Sequence, residues 1–257
     1  MKLSVITASL NTAAVIESTL QSLDEQKFQD WEYIVVDGNS TDGTCRILEQ
    51  WQQRMGERLR WVSEPDAGIY DAMNKGIAMA RGDAIGFLGA GDTFYDEIAL
   101  SIVAKELQKR EVDAVYGDLV YVYPDDMDRV WRYWRGSQYR PGIFSRGWQP
   151  AHPTFFARRK CFRELGDFDK DLVISADFDL MFRFLEKHQI SNYYVPRTLV
   201  RMLAGGTSNR SVRNVVVAHR NIYRSFRKYG YKVPTLYSVR RLIPKVLNMI
   251  ENYFSSK

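Results

Sequence analysis

Four short polar segments contain the side chains best able to do chemistry, and each follows an apolar, strand-like run. They are residues 7–11, 37–39, 64–68 and 89–92, and three of the four contain an acid. Carboxylates fit poorly against phosphate groups unless a divalent cation lies between the two. If these segments bind a phosphate-containing ligand, we therefore expect a metal ion to bridge them.

The elements that would position these segments alternate between strands and helices. Helical spacing predicts helices around Ile47 and Trp51 and at residues 13–25, 69–80 and 96–110. Apolar runs predict strands between and around them, at residues 3–7, 31–36, 59–64, 84–88 and 113–117. This alternation is typical of an α/β fold with a mostly parallel sheet. Because ligands bind beyond the carboxyl ends of such strands, we expect the four segments to lie along one rim.

The pattern changes after Gly117. Two short strands on either side of an acidic turn at residues 124–128 predict a hairpin, and an aromatic, Gly- and Pro-rich loop covers residues 136–153. A second cluster of acids follows, and residues 177–187 are predicted to form a helix with one apolar side.

The composition is that of a globular protein. Of 257 residues, 45% are hydrophobic and 26% are charged, which excludes a disordered or collagen-like chain. No internal repeat or low-complexity linker interrupts the sequence. We predict one domain over residues 1–205, with halves at 1–117 and 118–205, and a basic helical extension at 206–257.

Several features bear on the compartment. Cys45 and Cys161 are far apart and have no CxxC or His-rich surroundings, so neither a disulfide framework nor a zinc site is expected. The N-terminal apolar run is too short for a signal peptide, and no run of about eighteen apolar residues predicts a membrane-spanning helix. We expect a cytoplasmic protein.

Charge is distributed unevenly along the chain. Residues 1–196 contain 23 basic and 30 acidic residues, a net charge of −7, whereas residues 197–257 contain 13 basic residues and one acid, a net charge of +12. Two basic helices are predicted in this tail, at residues 212–229 and 236–254. Basic amphipathic helices suit the surface of an anionic membrane. The alternative is that they pack on the catalytic domain or on a second subunit, as in a homo-oligomer.

Two common nucleotide-binding classes are excluded because their glycine-rich motifs are missing from the sequence. A dinucleotide-binding fold needs GxGxxG there, and this loop, at residues 8–12, contains no glycine. The chain also lacks GxxxxGK[ST], the phosphate-binding loop of many ATPases and GTPases.

Five ordered motifs resemble those of family 2 glycosyltransferases of the GT-A fold. Together they cover roughly residues 1–190, and the third is similar to a bacterial branch that builds capsule, exopolysaccharide or lipopolysaccharide. The motifs are VITASLN at residues 5–11, IVVDGNSTDGT at 34–44, DAGIYDAMNKG at 66–76, FLGAGD at 87–92 and SADFDL at 175–180.

The resemblance implies a nucleotide-sugar site. The loop after the first strand and Asp37 would hold the nucleoside, with Asp37 accepting a hydrogen bond from a uracil-like N–H, which favours a UDP-linked donor. The donor-binding residues implied in this way are Thr7, Ala8, Asn11, Asp37, Asp66, Asn74, Lys75 and Gly91.

Asp92 matches the last acid of the family's DxD motif, which binds Mn²⁺ or Mg²⁺ between the two phosphates of the donor. This sequence departs from the motif because Ala90 replaces the first acid. One carboxylate can still hold the ion together with phosphate oxygens. A second interpretation is that Asp92 caps the helix that follows.

Asp177 matches the general base of the family, which takes the proton of the acceptor hydroxyl and leads to inversion at the anomeric carbon. Ala176 occupies the position where a glutamate is common. Asp179 is expected to be structural, pairing with Arg183 one helical turn away. The resemblance also suggests His152 near the acceptor, and Thr207 and Ser208 in a loop covering the donor.

The sequence thus predicts an inverting, metal-assisted glycosyltransferase that extends a glycan or a polyprenyl-diphosphate-linked glycan in bacterial surface polysaccharide synthesis. Its tail would dock on the inner face of the cytoplasmic membrane. Two alternatives remain at this point: a nucleotidyltransferase of related fold, and a nucleic-acid-binding protein suggested by the basic tail. The second leaves the acidic rim without a purpose, so no nucleic-acid partner is expected.

Overall fold

The computed structural model describes residues 1–204, 212–235 and 237. Thr207, Ser208 and nearly all of the second predicted tail helix lie outside these residues. Within them, no helix is both long enough and apolar enough to cross a bilayer.

The described residues form a nine-stranded sheet with the order β3-β2-β1-β4-β8-β6-β9-β5, and β7 pairs with β6. The α/β fold class predicted from the sequence is confirmed. The strands are β1 Leu3–Ser9, β2 Trp31–Asp37, β3 Leu59–Ser63, β4 Ala84–Phe87, β5 Thr93–Phe94, β6 Ala114–Tyr123, β7 Asp126–Trp134, β8 Phe156–Arg158 and β9 Asn192–Leu203.

Strand direction differs between the two halves of the sheet. β1 pairs in parallel with β2 and β4, and β2 with β3, as the βαβ pattern predicts. Beyond β4 the pairing is mixed, because β8 runs antiparallel to both of its neighbours, β4 and β6, while β6 and β9 run parallel. The predicted hairpin is confirmed as β6 and β7, and β6 is a single ten-residue strand.

Seven α-helices occur in the described residues: α1 Ile16–Asp24, α2 Thr44–Met55, α3 Ile69–Met79, α4 Ala99–Lys109, α5 Arg159–Leu165, α6 Ala176–Met181 and α7 Val212–Lys228. The single helix predicted over residues 177–187 is instead α6 followed by a π-helix at Phe182–Lys187. α4 begins three residues later than predicted. The Asp96 carboxylate accepts a hydrogen bond from the Ile98 N–H in the turn before it.

Alternate residues of the central strands face opposite sides of the sheet, and each side has its own apolar core. In β2, Tyr33 and Val35 face a core covered by α1, α2 and α4. Ile34 and Val36 face the other core, which is covered by α3, α5, α6 and α7. The sheet therefore lies between two layers of helices.

The apolar side of α7 packs on the elements that precede it in the chain. Ile222 and Phe226 are buried in the same core as Phe178 and Phe182. The Phe182 and Phe226 ring centres lie 4.7 Å apart. The apolar side of the first predicted tail helix therefore packs on the protein's own core, which was the alternative to membrane docking for this helix.

Polar contacts also join this C-terminal helix to α6. Asp179 is fully buried, and its Oδ2 accepts a hydrogen bond of 2.8 Å from the hydroxyl of Tyr229, just beyond α7. Lys228 Nζ lies 3.5 Å from the same oxygen, and Arg183 lies 3.8 Å from it. The predicted pairing of Asp179 with Arg183 is confirmed. These contacts hold α6, which begins beside Asp177, against α7.

Tyr229→Phe is expected to lower the free energy of unfolding by about 1–3 kcal/mol, because a buried carboxylate loses a hydrogen-bond donor. The other oxygen of Asp179 has no hydrogen-bond partner within the described part of the chain. Urea-induced unfolding at pH 7 measures the change. Tyr231→Phe is a matched control, since its hydroxyl donates to the neutral carbonyl of Glu186 and should cost about 0.5–1.5 kcal/mol. If Tyr229→Phe and Tyr231→Phe lowered the free energy of unfolding equally, the charge of Asp179 would make no special contribution.

Candidate active site

A cleft of about 710 Å³ opens at the carboxyl ends of β1 and β4. Three of the four polar segments line this cleft, which confirms most of the rim predicted from the topology. The fourth segment, at residues 37–39, contributes no lining residue. The end of β9 closes the opposite wall. The lining residues are Ala8, Ser9, Leu10, Asn11, Thr12, Val15, Asp66, Gly68, Ile69, Ala72, Gly89, Ala90, Asp92, Pro124, Met202, Leu203 and Ala204.

The loop after β1 presents only some of its predicted donor-binding residues to the cleft. Ala8 and Asn11 line it. Asn11 has a left-handed φ of 52°, and its Oδ1 accepts a hydrogen bond of 2.9 Å from the Thr41 N–H. Thr7 is fully buried instead: its hydroxyl donates to the Leu88 carbonyl at 2.6 Å and accepts from Tyr33 at 2.8 Å. The Thr7 side chain therefore joins strands beneath the cleft.

Asp37 is a buried anion whose oxygens already have partners inside the protein. Oδ2 accepts hydrogen bonds from the Ser40 N–H at 2.8 Å and the Ser63 hydroxyl at 2.7 Å, and Oδ1 accepts one from the Ser40 hydroxyl. Burial raises the pKa of Asp37, but the hydrogen bonds from Ser40, Ser63 and Cys45 outweigh it and hold the pKa below its usual range. In this structure Asp37 shapes the turn after β2.

Of the three donor-binding residues predicted in the third motif, one lines the cleft and two support the loops around it. Asp66 lines the cleft, and its Oδ2 lies so close to Gly38 that a methyl group there would approach it to 2.6 Å. Asn74 exchanges two hydrogen bonds of 2.9 Å with the backbone of Phe168. Lys75 binds Glu64 at 2.7 Å and the Pro65 carbonyl at 2.9 Å. Asn74 and Lys75 thus brace the loops around the cleft.

Asp92 lies on the cleft wall and is only 5% exposed. Its Oδ1 accepts a hydrogen bond of 3.1 Å from the Leu203 N–H of β9. Burial raises the pKa of Asp92 to about 7, although backbone N–H groups of Leu203 and Gly89 oppose the shift. It does not cap the following helix, because α4 starts at Ala99 with Ile98 as its N-cap.

Gly91 permits the turn that places Asp92. Its φ is 92°, a region that favours glycine, and a Cβ would lie 2.7 Å from Leu203 Cδ1. The Gly91 N–H donates to the Thr19 hydroxyl at 2.8 Å.

The donor set around Asp92 fits a divalent cation only together with ligand oxygens. The described residues contain no group of three or more His, Cys, Asp or Glu side chains arranged to hold a metal. Ala90, in the position of the first acid, also lines the cleft. Asp92 is a buried carboxyl, and no cationic side chain of the described residues binds it. Such a group favours a cation, which diphosphate oxygens would have to help hold.

Asp177 lies in the first turn of α6 and is partly exposed. Its Oδ1 accepts a hydrogen bond of 3.3 Å from the Tyr70 hydroxyl. Burial, and then the Asp177 charge, raise the pKa of Tyr70 well above its usual value, so the phenol stays protonated. Sequence reasoning did not assign Tyr70 a role, although it lies within the third motif.

His152 lies between aromatic rings. It stacks on Phe87 with ring centres 5.2 Å apart and meets the edge of Phe168 at 5.6 Å. Its Nε2 is buried and has no hydrogen-bond partner in the described chain. Burial lowers the pKa of His152, and the charge of Asp177 only partly offsets this, which favours a neutral imidazole near the carboxylate.

Comparison with known proteins agrees with this geometry. Residues 4–180 match the domain described as Glycosyl transferase family 2. The chain belongs to glycosyl transferase family 2. It is 32% identical over 200 residues to a Mycobacterium tuberculosis protein named PGL/p-HBAD biosynthesis glycosyltransferase, covering 75% of this chain and 73% of that protein. The chain is therefore a glycosyltransferase, as its motifs predicted, and neither alternative is needed to explain its function.

Solved structures show the same fold for this family 2 glycosyltransferase. S. aureus TarS 1–349 in complex with UDP-GlcNAc has a TM-score of 0.68 and 17% identity, covering 94% of this chain and 73% of that one. This chain spans 43% of the longer TarS chain. Mannosyltransferase PcManGT from Pyrobaculum calidifontis, in complex with GDP-Man and Mn²⁺, has a TM-score of 0.66 and 20% identity, covering 93% and 67%.

Proposed function

We propose that the protein transfers a sugar, with inversion, from a nucleotide-diphosphate donor to a hydroxyl of a glycan or lipid-linked glycan. The observation that carries this proposal is a pair of carboxylates in different environments. Asp92 is buried on the cleft wall, and Asp177 is partly exposed and held by Tyr70. The buried Asp92 suits a cation bound to phosphate, and the partly exposed Asp177 suits abstraction of a proton.

The donor would occupy the cleft. Ala8, Asn11 and Asp66 line the region assigned to the nucleotide, and we propose a UDP-linked sugar. The structures with UDP-GlcNAc and GDP-Man support a nucleotide-sugar partner. Asp92 would hold Mn²⁺ or Mg²⁺ together with the diphosphate, and the ion would neutralise charge on the departing nucleotide.

The acceptor would be activated by Asp177. Its carboxylate would take the proton of the attacking hydroxyl while the oxygen bonds to the anomeric carbon from the face opposite the nucleotide. The Tyr70 hydroxyl donates to Oδ1 of Asp177, and no hydrogen bond to Oδ2 is formed by the side chains that the structure describes. His152, which is half-buried and close enough to feel the charge of this carboxylate, would lie on the acceptor side.

We further propose that the enzyme works on a bacterial surface glycan, such as capsule or lipopolysaccharide, at the inner face of the cytoplasmic membrane. The support lies on the outer side of α7, where Arg213 and Arg220 are exposed and Val216 is 62% exposed. A basic surface with apolar side chains suits anionic headgroups. Sedimentation with anionic liposomes tests this, and α7 variants lacking these arginines should stay in the supernatant. A homo-oligomer remains a proposal that sedimentation velocity tests.

The reaction is tested by incubating the protein with UDP- and GDP-sugars in Mn²⁺, Mg²⁺ or EDTA and measuring nucleotide release. We expect release from one donor, dependent on the cation. The configuration of the transferred sugar, determined by NMR, then tests inversion. Release of nucleotide with retained configuration would contradict the role of Asp177, and the failure of every nucleotide sugar to bind would contradict the proposed function.

A further inference from the structure

Arg132 of β7 is a buried cation without an anionic partner among the described residues. Only 7% of the residue is exposed. No carboxylate in the described part of the chain lies within ion-pair distance of its guanidinium, and its Nε is buried without a hydrogen-bond partner. Burying an unpaired charge is costly unless another group compensates it, so this side chain points to an anionic ligand.

Aromatic rings hold the Arg132 guanidinium in place. Its central carbon lies 4.3 Å from the centre of the Tyr121 ring and 5.8 Å from the rings of Trp131 and Trp134. Tyr121 and Trp134 are themselves stacked at 6.4 Å. Contacts with ring faces stabilise a guanidinium while leaving edge N–H groups free to donate hydrogen bonds.

The strand register places Arg132 beside the proposed active site. Arg132 lies opposite Tyr121 on β6, and Tyr121 lies opposite Met202 on β9. Side chains at directly opposite positions share one face of a sheet, and Met202 lines the cleft. The next residue of β9, Leu203, donates its N–H to Asp92. Arg132 is therefore on the cleft face, two strands away from the residue that binds Asp92.

The charges around Tyr121 agree with this position. Burial raises the pKa of Tyr121, the neighbouring Arg132 charge lowers it, and both Asp92 and Asp177 raise it. The phenol that holds Arg132 thus lies within the electrostatic reach of both acids.

We propose that Arg132 binds a phosphate group of a substrate, either the diphosphate of the donor or a phosphate on an anionic acceptor. The planar guanidinium offers paired N–H donors that match two phosphate oxygens, and charge-assisted pairs of this kind are strong when water is excluded. This inference rests on the proposed function, because it takes the cleft to be the site of transfer.

The test compares Arg132→Met with wild type by calorimetry against charged ligands and their neutral counterparts. UDP and GDP are paired with uridine and guanosine, and farnesyl diphosphate with farnesol. We expect about 10- to 100-fold weaker binding of one charged ligand, with no change for its neutral counterpart. Loss with the nucleotides assigns Arg132 to the donor, and loss with farnesyl diphosphate assigns it to the acceptor.

Arg129→Met is the matched control. Arg129 lies on the same strand and over the Tyr123 ring at 3.9 Å, but its side chain is 54% exposed and pairs with Asp125. It should leave all affinities unchanged. Arg132→Lys keeps the positive charge but lacks the paired N–H donors of the guanidinium, so it should weaken binding by an intermediate factor. This variant replaces Arg132→Met in the test if Arg132→Met does not fold. If Arg132→Met and Arg132→Lys both bound the charged ligands as tightly as wild type, the inference would be overturned. If the wild-type protein bound no nucleotide, the proposed function itself would be overturned.

Discussion

Asp177→Asn is expected to slow sugar transfer by about 10²- to 10⁴-fold while nucleotide binding stays unchanged. Asparagine has nearly the same shape, but it cannot take a proton from the acceptor hydroxyl. It can still accept the hydrogen bond of 3.3 Å from Tyr70, so the first turn of α6 should be preserved. The loss should therefore fall on kcat and not on affinity for the donor.

Initial rates of nucleotide release and calorimetric titration with UDP measure these two quantities. Asp171→Asn is a suitable control, because its side chain is 79% exposed and lies 4.0 Å from Arg224. It should retain wild-type activity. If Asp177→Asn transferred sugar at the wild-type rate, another residue would have to be the base.

Asp92→Asn is expected to lower the transfer rate by about 10²- to 10³-fold, because the departing nucleotide would lose the stabilisation of its developing charge. Protons compete with a cation for a carboxyl whose pKa is about 7. The wild-type dissociation constant for Mn²⁺, measured in the presence of UDP, should therefore rise as the pH falls below about 7. The Asn variant should lack this pH dependence. Asp83→Asn, at the other end of β4, should behave like wild type.

The same residue should affect stability in the absence of metal. The folded-state pKa of Asp92, about 7, lies above its ordinary value of 3.8, so the folded state binds the proton more tightly. This contribution to stability is present below about pH 4 and is lost as the pH rises through 7. Thermal unfolding in EDTA should consequently show Asp92→Asn gaining stability relative to wild type at pH 8 but not at pH 4. If the stability difference between Asp92→Asn and wild type were the same at pH 4 and pH 8, Asp92 would not be a buried group that ionises in this range.

The rim of the cleft could be predicted because parallel strands bring their carboxyl ends together, and this depends only on alternating elements. Which side chains face the cleft could not be predicted so well. Thr7 and Ala8 belong to the same motif, yet neighbouring residues of a strand face opposite ways, and only Ala8 reaches the cleft. The Asn74 contacts join residues 94 positions apart, a pairing that no local pattern encodes.

Arg132 shows a different limit. In the sequence it is one of several arginines in an aromatic hairpin, and nothing distinguishes it from Arg129. Only the register of β6 against both β7 and β9 separates the buried arginine from the exposed one. The family motifs recognised in the sequence lie near strand ends, whereas Arg132 lies in β7, outside all of these motifs.

Helix α3 connects the two halves of the proposed reaction. Its N-terminal end lines the cleft through Gly68 and Ile69, while Tyr70 binds Asp177 and Asn74 holds Phe168. The helix has eleven residues and is about 16 Å long. If the donor occupies the cleft as proposed, it would contact the same helical turn whose Tyr70 hydroxyl binds Asp177, the proposed base.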